Sequence, residues 1–553
     1  MTSGVRGMEC FKTWRVLDLE QGLQEPDACL RERACRAAGV GSEVLRGFRI
    51  ARRSLDARRR GGVHRFRFVV HVDLVLDADC ETSALERARR AGRVRLQPEP
   101  GSLELPASHS SMSGARVAVV GAGPAGLLAA LTLARNGVSV DIIDRGPALP
   151  ERSRAVATFV RGRNPDPEAN LLFGEGGGGT YSDGKLYTRV DHPLESPILA
   201  ELVACGAPPE IAFEARAHIG TDRLHRVVPA LRRRMQELGV RFHWKLRLEG
   251  LSAEEGPPRR VRALRTSAGE LPCDAVILAP GHSARDTLQA LHRQGVAMEA
   301  KPFQLGVRIE HPQPLIDAAC HGVGPEAAQL GAASYRLVCR AGEGVAGAHS
   351  FCMCPGGQIV ACVNESGLLC TNGMSNSRHS SAWASAGLVT TLSPGDCGPG
   401  PFAGVALQRQ LERAFFEAGG CDYSVPAQRA CDFLAGRGST RVGPSSYKLG
   451  VRPGRVDELL PPGVRDALRR ALEHFERRIP GFAGPDGLLA GVESRASSPV
   501  RMPRDAETRR ARGFANLYPA GEGAGYAGGI LSSAIDGARS AQALLRVGVL
   551  LGR

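Results

Sequence analysis

The three glycines in the segment VAVVGAGPAGLLAALTLA have a spacing that suits phosphate binding. Gly121, Gly123 and Gly126 form a G-x-G-x-x-G pattern between an apolar run typical of a buried strand and an apolar stretch typical of a helix. Such glycines allow a tight turn, a close approach of the backbone to a pyrophosphate, and close packing of the helix on the strand. Asp144 ends a second apolar run 18 residues after Gly126, where a carboxylate can accept hydrogen bonds from ribose hydroxyls. Together these residues predict a dinucleotide-binding βαβ unit.

The segment YPAGEGAGYAGGILSSAIDGARSAQALL, near the C-terminus, indicates which dinucleotide is bound. It repeats the glycine pattern, but only 25 residues follow Gly528, too few for a second βαβ unit with its acid. It instead resembles the C-terminal flavin motif of glutathione-reductase-type FAD proteins, in which a strand ends in Gly-Asp and the next helix points its N-terminus at the flavin. Glu522 stands where that Asp usually stands. The segment AVILAPGHSARD resembles a third landmark of those proteins, so FAD is the predicted cofactor.

The segment LLFGEGGGGTYSDGKLYTR carries further glycines and a lysine. It matches most of a phosphate-loop pattern, but Leu186 occupies the position of the Ser or Thr that binds Mg²⁺, and Asp183 would place a negative charge among phosphates. Its apolar residues argue against a flexible linker. Because Gly174 lies 48 residues after Gly126, we expect the loop to run beside the isoalloxazine ring, with Lys185 stabilising reduced flavin or a substrate anion. A purely structural turn is the alternative.

These segments supply the residues predicted to bind FAD. They are Gly121, Gly123, Pro124, Ala125, Gly126, Asp144, Arg145, Gly176, Gly177, Gly178, Gly281, Gly521, Glu522, Gly528, Gly529 and Ile530. The candidates for catalysis are Lys185, His282, Arg308 and Tyr526. No metal site is predicted.

Several of these candidates have a structural alternative. Arg308, like Arg495, could clamp a substrate carboxylate with two hydrogen bonds, or it could form a buried ion pair. His282 follows a landmark glycine, but a histidine in a turn is often structural. Cys352 and Cys354 alternate along a predicted strand and therefore share one face. They are candidate redox partners or nucleophiles, although packing thiols are favoured because alternate strand positions make a poor disulfide.

The chain as a whole resembles a family of largely uncharacterised FAD-dependent dehydrogenases. The resemblance extends from about residue 44 to residue 540 and rests on RRSLDARRRG, FGEGGGGTYSDGKLYTR, HIGTDRL, GHSARDT, KPFQLGVRIEHPQ, FCMCPGG, NGMSNS, GVESRASSPVR and YPAGEGAGYAGGI. It implies a small N-terminal domain, an FAD domain that is split in sequence, and an inserted substrate domain. It implies no particular substrate.

The elements that must position these residues predict an α/β protein. The expected architecture is a Rossmann-like FAD-binding domain of the glutathione-reductase type, with an inserted β-rich substrate domain and a small N-terminal α/β domain. The predicted boundaries are 1–97 for the N-terminal domain, 98–115 for a linker, 116–300 and 495–553 for the FAD domain, and 301–494 for the insertion.

Local patterns add three expectations around the FAD domain. The polar, arginine-rich stretch 151–170 predicts a loop, and residues 222–240 predict a helix capped by Thr221. Alternating segments at 241–251 and 260–266 predict an antiparallel hairpin.

Composition limits the functional classes. The 71 Lys and Arg against 57 Asp and Glu give a net charge of +14, but the arginines are scattered and aromatic residues make up only 5%, which argues against a nucleic-acid partner. The 15 cysteines form no C-x-x-C pair, which indicates free thiols in a reducing compartment. No apolar run is long enough to span a membrane, and acidic residues near the N-terminus argue against a secretory signal. A cytoplasmic location is expected, with organellar targeting left open.

The predicted function is that of an FAD-dependent oxidoreductase, a dehydrogenase or reductase that transfers hydride between a small organic substrate and flavin N5. NADPH or NADH is a candidate electron donor, although no separate domain for it is evident, and another electron carrier is the alternative partner. A flavin monooxygenase or oxidase is the first alternative function. An FAD-bearing protein that binds or modifies RNA through its basic N-terminal region is the second.

Overall fold

The N-terminal region forms a four-stranded antiparallel sheet with two helices. The structure is a computed structural model that describes residues 11–60, 63–80, 82–105, 114–188, 190–342 and 344–550. The first elements are β1 Phe11–Gln21, α1 Ala28–Ala38, β2 Leu45–Asp56, β3 Arg59–Arg60, β4 Val63–His64, β5 Arg67–Asp77, α2 Ser83–Arg90 and β6 Val94–Leu96. The strand order in the sheet is β2-β5-β1-β6. Alternation along β5 places Val70, Val72, Leu74 and Leu76 in one core.

This N-terminal sheet is hydrogen-bonded to the rest of the chain. The Arg53 amide donates to the Phe213 carbonyl at 2.8 Å, and the Ala215 amide donates to the Arg53 carbonyl at 2.8 Å. The turn expected between β2 and β5 at Gly61 and Gly62 lies outside the described residues.

The next segment supplies most of the sheet that carries the predicted dinucleotide site. Its elements are β7 Arg116–Val120, α3 Pro124–Arg135, β8 Ser139–Asp144, α4 Leu149–Gly162, α5 Glu195–Ala204, α6 Thr221–Glu237, β9 Arg241–Trp244, β10 Leu248–Glu254, β11 Arg260–Thr266, β12 Gly269–Pro272, β13 Ala275–Leu278, α7 Arg285–Arg293 and β14 Glu299–Ala300. The buried strand expected before Gly281 is β13, and the helix expected near residues 222–240 is α6.

Three local expectations for this segment were wrong in part. Much of the stretch expected to be a loop at 151–170 is helix α4, which has a proline in its first turn and buries Leu149, Arg152 and Phe159. Strand β9 pairs with β8 in the parallel sheet, so the antiparallel sheet consists of β10, β11 and β12. Thr221 is the first residue of α6 and not its cap, because its hydroxyl donates to the Ser182 carbonyl.

The inserted region contains a seven-stranded sheet and six helices. Its elements are β15 Phe303–Pro312, α8 Gln313–His321, α9 Pro325–Ala328, β16 Val338–Cys339, β17 Ala348–Cys354, β18 Gly357–Ala361, β19 Thr371–Ser375, β20 Trp383–Leu392, α10 Ala403–Ala418, β21 Val425–Arg429, α11 Ala430–Leu434, β22 Val451–Pro453, α12 Val456–Leu459, α13 Pro462–Glu476 and β23 Leu488–Glu493. The strand order is β16-β17-β20-β15-β23-β21-β22. Phe415 of α10 and Phe475 of α13 are buried in its core.

The chain then returns to the first sheet through β24 Val500–Arg501, β25 Leu517–Pro519 and α14 Ile530–Leu550. Strand β25 pairs with β13, which completes a parallel sheet of order β25-β13-β7-β8-β9. Helix α14 packs closely on α3, since a Cβ at Gly537 would lie 1.9 Å from the Ala125 carbonyl oxygen. In open parallel sheets, ligands bind beyond the carboxyl ends of the strands, so this edge is where a site is expected. None of the described helices has the length and apolar character needed to cross a bilayer.

Candidate functional site

A cavity of about 290 Å³ opens at the carboxyl edge of the parallel sheet. The predicted residues that line it are Gly121, Gly123, Pro124, Ala125, Asp144, Arg145, Gly177, Gly178, Lys185, Gly281, His282, Gly521, Glu522, Gly528, Gly529 and Ile530. The described residues Gly126, Gly176, Arg308 and Tyr526 lie outside this lining. The structure therefore brings three distant glycine segments to one cavity.

Two helix N-termini meet at the cavity. Helix α3 begins at Pro124 directly after the Gly121–Gly123 turn, and α14 begins at Ile530. The first amides of a helix lack partners within the helix and carry a partial positive charge, which favours anions. Gly121 has a φ of 97°, and a Cβ at Gly126 would lie 1.9 Å from the Gly121 carbonyl oxygen, so Gly126 serves helix packing.

Asp144 ties three backbone segments together. Its carboxylate accepts hydrogen bonds from the amides of Ala122 at 2.8 Å, Gly146 at 2.8 Å and Gly174 at 3.0 Å. Burial raises the pKa of Asp144, and these amides oppose that rise. The residue predicted to meet a ribose thus also holds the glycine turn and the 174–182 loop in place.

The 174–182 loop packs directly on the dinucleotide turn. The Gly176 amide donates to the Ala122 carbonyl at 2.9 Å, and a Cβ at Gly177 would lie 3.0 Å from the Gly123 Cα. Part of the loop, Gly177–Tyr181, is a short 3₁₀ helix. The loop was expected beside a flavin ring, and its glycines in fact adjoin the predicted pyrophosphate turn.

Arg152 is a residue that the sequence analysis missed. Its fully buried guanidinium donates to the carbonyls of Asn170 at 2.8 Å, Glu175 at 2.7 Å and Gly177 at 2.9 Å. Five donors in a rigid fork suit an arginine to this task. The misassigned helix α4 concealed it, because an arginine in a supposed loop is ordinarily solvated.

His282 and Glu522 form a pair of ionisable groups on the cavity wall. His282 Nδ1 lies 4.0 Å from a Glu522 carboxylate oxygen. Burial, helped by the charges of Arg495 and Arg285, lowers the pKa of His282 to about 4, so the ring is neutral at pH 7. Burial raises the pKa of Glu522 to about 7, against the opposing charge of Lys301. Glu522 can therefore gain or lose a proton near neutral pH.

Lys185 forms an ion pair with Asp183, whose carboxylate also accepts from the Ser375 hydroxyl. Burial disfavours charge on Lys185, but nearby Cys352, Cys354 and Asp183 raise its pKa above the usual value, so it is a cation. His218 and His379 stack beside this pair, with ring centroids 4.1 Å apart. Their ligand atoms and those of Asp183 lie within 4.8 Å of one another, but the Lys185 ammonium opposes a further cation there.

The other polar candidates are engaged in internal contacts. Arg308 is fully buried and donates to Glu493 at 3.3 Å and to Ser385 at 2.9 Å. Arg495 lines the cavity, but its guanidinium donates to Glu412 and Asn364. The Tyr526 hydroxyl accepts from the Arg504 amide at 3.1 Å. For Arg308 and Arg495 the contacts match the buried ion pair that the sequence left open as the alternative to a carboxylate clamp.

The residues present fit an FAD. The cavity combines two helix N-termini with a carboxylate at the end of β8, as a dinucleotide requires. A Cβ at Gly281 or Gly528, which both line the cavity, would meet no atom within 4 Å, so these glycines leave open space at its wall. The Nε2 atom of buried His282 has no hydrogen-bond partner among the described residues.

Comparison with known proteins agrees with this assignment. A model for the C-terminal domain-like part of FAD-dependent proteins matches residues 302–496, and an FAD binding domain model matches residues 114–161. An uncharacterized protein of Clostridium beijerinckii is 37% identical over 534 residues, which cover 96% of this chain and 98% of that protein.

Solved structures resemble the chain more distantly. L-amino acid deaminase from Proteus vulgaris is 12% identical, with a TM-score of 0.30 over 81% of this chain and 92% of that one. Glycine oxidase from Bacillus cereus is 11% identical, with a TM-score of 0.31 over 78% of this chain and 97% of that one. Similarities this remote carry no argument about activity.

The fold, the cavity and the family models define the class of protein: it is a flavoprotein with a mixed α/β FAD-binding fold, and because flavin is a redox cofactor its class is that of the FAD-dependent oxidoreductases. The chain belongs to the family of FAD-dependent proteins that includes the Clostridium beijerinckii protein. The glutathione-reductase type, the domain boundaries and the individual site residues stay predictions.

Proposed function

We propose that the protein is an FAD-dependent dehydrogenase or reductase that transfers hydride between a carbon of a small organic substrate and flavin N5. The observation that supports this most directly is the composition of the cavity. One continuous space joins the dinucleotide turn at Gly121–Gly123 to a wall from the inserted region that includes Phe351, Cys352 and Asn372. The first side suits a cofactor, and the second offers side chains for a substrate.

In this proposal residues 116–300 and 495–553 form the FAD domain and residues 301–494 supply the substrate side. A bound flavin would supply the redox centre, while the chain supplies orientation and electrostatics. Asp144, Gly177 and the two helix N-termini would hold the dinucleotide.

Two side chains have protonation states suited to hydride chemistry. Lys185 places a fixed positive charge on the cavity wall, which stabilises an anion that develops there. Glu522, with a pKa raised to about 7 by burial, can hold or release a proton at neutral pH. His282 stays neutral beside it and can donate a hydrogen bond from one ring nitrogen.

The test is anaerobic bleaching of the flavin. The purified protein should carry FAD, and its visible absorption should be bleached by NADH, NADPH or one compound of a metabolite panel. Slow reoxidation in air after bleaching is the result expected for a dehydrogenase. Fast reoxidation without a second substrate would establish the oxidase alternative instead, and a folded protein that binds no FAD would overturn the proposal.

A further inference from the structure

Strand β17 ends in an irregularity that gathers two thiols. Its pairing with β20 shifts register between Phe351 and Cys354, and Cys352 has a φ of 42°, in the left-handed region. Such backbone geometry is costly for a residue other than glycine and is found mainly at functional sites. On a regular strand the two cysteines would only share a face, whereas the bulge re-aims their side chains.

Both thiols reach the same cation on the cavity wall. The Lys185 ammonium lies 3.9 Å from the Cys352 sulfur and 3.7 Å from the Cys354 sulfur. The Arg308 guanidinium approaches from the other side. A Cβ at Gly373 would lie 2.2 Å from Arg308 Nη2 and 3.2 Å from the Cys354 sulfur, so only a glycine fits between them. Two cations therefore surround this pair.

The two cysteines differ in access. Cys352 is half-buried and lines the cavity, whereas Cys354 is completely buried behind it. A hydrogen bond from the Cys354 thiol, reinforced by the charges of Lys185 and Arg308, lowers the pKa of Cys352 to about 5. The same contact and burial raise the pKa of Cys354 well above its usual value. An accessible thiolate beside a buried thiol is the arrangement of an attacking and a resolving cysteine.

We propose that Cys352 and Cys354 form a redox-active dithiol that exchanges two electrons with the flavin in the cavity. This inference rests on the proposed function, because it needs FAD at the predicted site. It gives the protein a second two-electron centre.

The exchange is balanced as a two-electron reaction. In the direction of thiol oxidation, a bond forms between the two sulfur atoms and the S–H bond of Cys354 breaks. The two electrons and that proton pass to oxidised flavin, so one thiolate, one thiol and oxidised flavin give one disulfide and the reduced flavin anion. The reverse reaction consumes the same species. No further oxidant or reductant enters the step.

The experiment is an anaerobic dithionite titration of the air-oxidised holoprotein, followed through the flavin absorption. The wild-type protein should take up two equivalents per FAD, one for flavin and one for the disulfide. The Cys352→Ser and Cys354→Ser variants should each take up one. Cys370→Ser is the matched control, because Cys370 is also buried in the inserted region but does not line the cavity, and it should take up two.

A second measurement does not depend on the flavin signal. Mass spectrometry after alkylation under denaturing conditions should find a Cys352–Cys354 disulfide in the oxidised protein and two alkylated cysteines after the titration. Wild-type protein that carries FAD but takes up one equivalent, with both cysteines alkylated throughout, would overturn the dithiol exchange and leave the proposed function intact. Protein without FAD would overturn both.

Discussion

The two sides of the cavity are built from different parts of the chain's chemistry. On the side of the parallel sheet, backbone amides, glycines and helix ends make the surface, and they come from segments with recognisable spacing. On the side of the inserted region, Lys185, Asp183, Cys352 and Cys354 make the surface through side-chain charges. A surface made of backbone groups responds little to pH, whereas a surface made of coupled titratable groups responds strongly.

This difference separates binding from reactivity. The backbone surface is suited to hold a large cofactor in one position, because amides and helix dipoles do not titrate. The side-chain surface is suited to move protons and electrons, because small changes in charge alter every neighbour. Four substitutions test the division, from the largest expected effect to the smallest.

Arg152 is the side chain on which the backbone surface depends. We expect Arg152→Met to lower the free energy of unfolding by about 3 kcal/mol, because three buried carbonyls lose a charged donor. Urea denaturation measures this change. Arg154→Met on the exposed side of the same helix is the control and should change it by less than about 0.5 kcal/mol. Equal effects would show that the loop holds itself without Arg152.

Gly123 tests the backbone surface from the cofactor side. Gly123→Val should weaken FAD binding about 30-fold, or about 2 kcal/mol, because its branched side chain would fill the approach between the turn and Gly177. Fluorescence titration of the apoprotein with FAD measures the affinity. Gly463→Val, at an exposed position where a Cβ meets no atom within 4 Å, should leave it unchanged. Full affinity in the Gly123 variant would contradict the site.

Lys185 tests the side-chain surface through pH. Since the pKa of Cys352 is lowered to about 5, its alkylation by iodoacetamide should be nearly constant above pH 6 and slow down as the pH falls through 5. Lys185→Gln removes a cation, raises that pKa and should slow alkylation at pH 6 about tenfold for each unit of the rise. Arg308, Asp183, Glu493 and Tyr187 also surround the thiol and keep their charges or protons in both proteins.

Peptide mass spectrometry assigns the alkylation to Cys352. The exposed Lys448→Gln variant is the control for the loss of one positive charge, and its profile should match that of the wild type. An unchanged profile in the Lys185 variant would show that Lys185 does not hold the thiolate.

Gly528 should give the smallest effect. A Cβ at Gly528 meets no atom within 4 Å, so Gly528→Ala should leave the thermal unfolding midpoint unchanged. It should lower FAD affinity about two- to threefold, well under 1 kcal/mol, by narrowing the cavity near the start of α14. A large loss of affinity would place the cofactor in closer contact with this segment than the division of the two sides requires.

The two sides also differ in how far the sequence predicts them. The dinucleotide turn, Asp144 and the Gly521–Ile530 segment are contiguous motifs, and the family models agree that an FAD domain is present. The contact of Lys185 with Cys352 joins residues 167 positions apart, and no local period encodes it. The bulge at Cys352 was equally hidden, because alternation along a strand predicts a shared face and not a change in register.

Other errors have the same physical origin. Helix α4 was expected to be a loop because its arginines suggested solvent, yet Arg152 is buried by tertiary contacts that outweigh composition. Strand β9 was expected in a hairpin because it alternates, but its pairing with β8 is set by the crossover through α6. The Arg-rich N-terminal sheet shows a related effect, since Arg15 and Arg49 both pair with buried Asp73.

The position of β25 at the end of the parallel sheet has a consequence for biosynthesis. The cavity is lined by residues on both sides of a gap of more than 200 positions, from Thr287 to Glu522, and α14 must pack on α3 to complete it. A nascent chain can therefore assemble the inserted sheet on the ribosome well before it can close the parallel sheet. Cofactor capture is a late event in synthesis, and ribosome-bound chains stalled before residue 517 should retain no FAD.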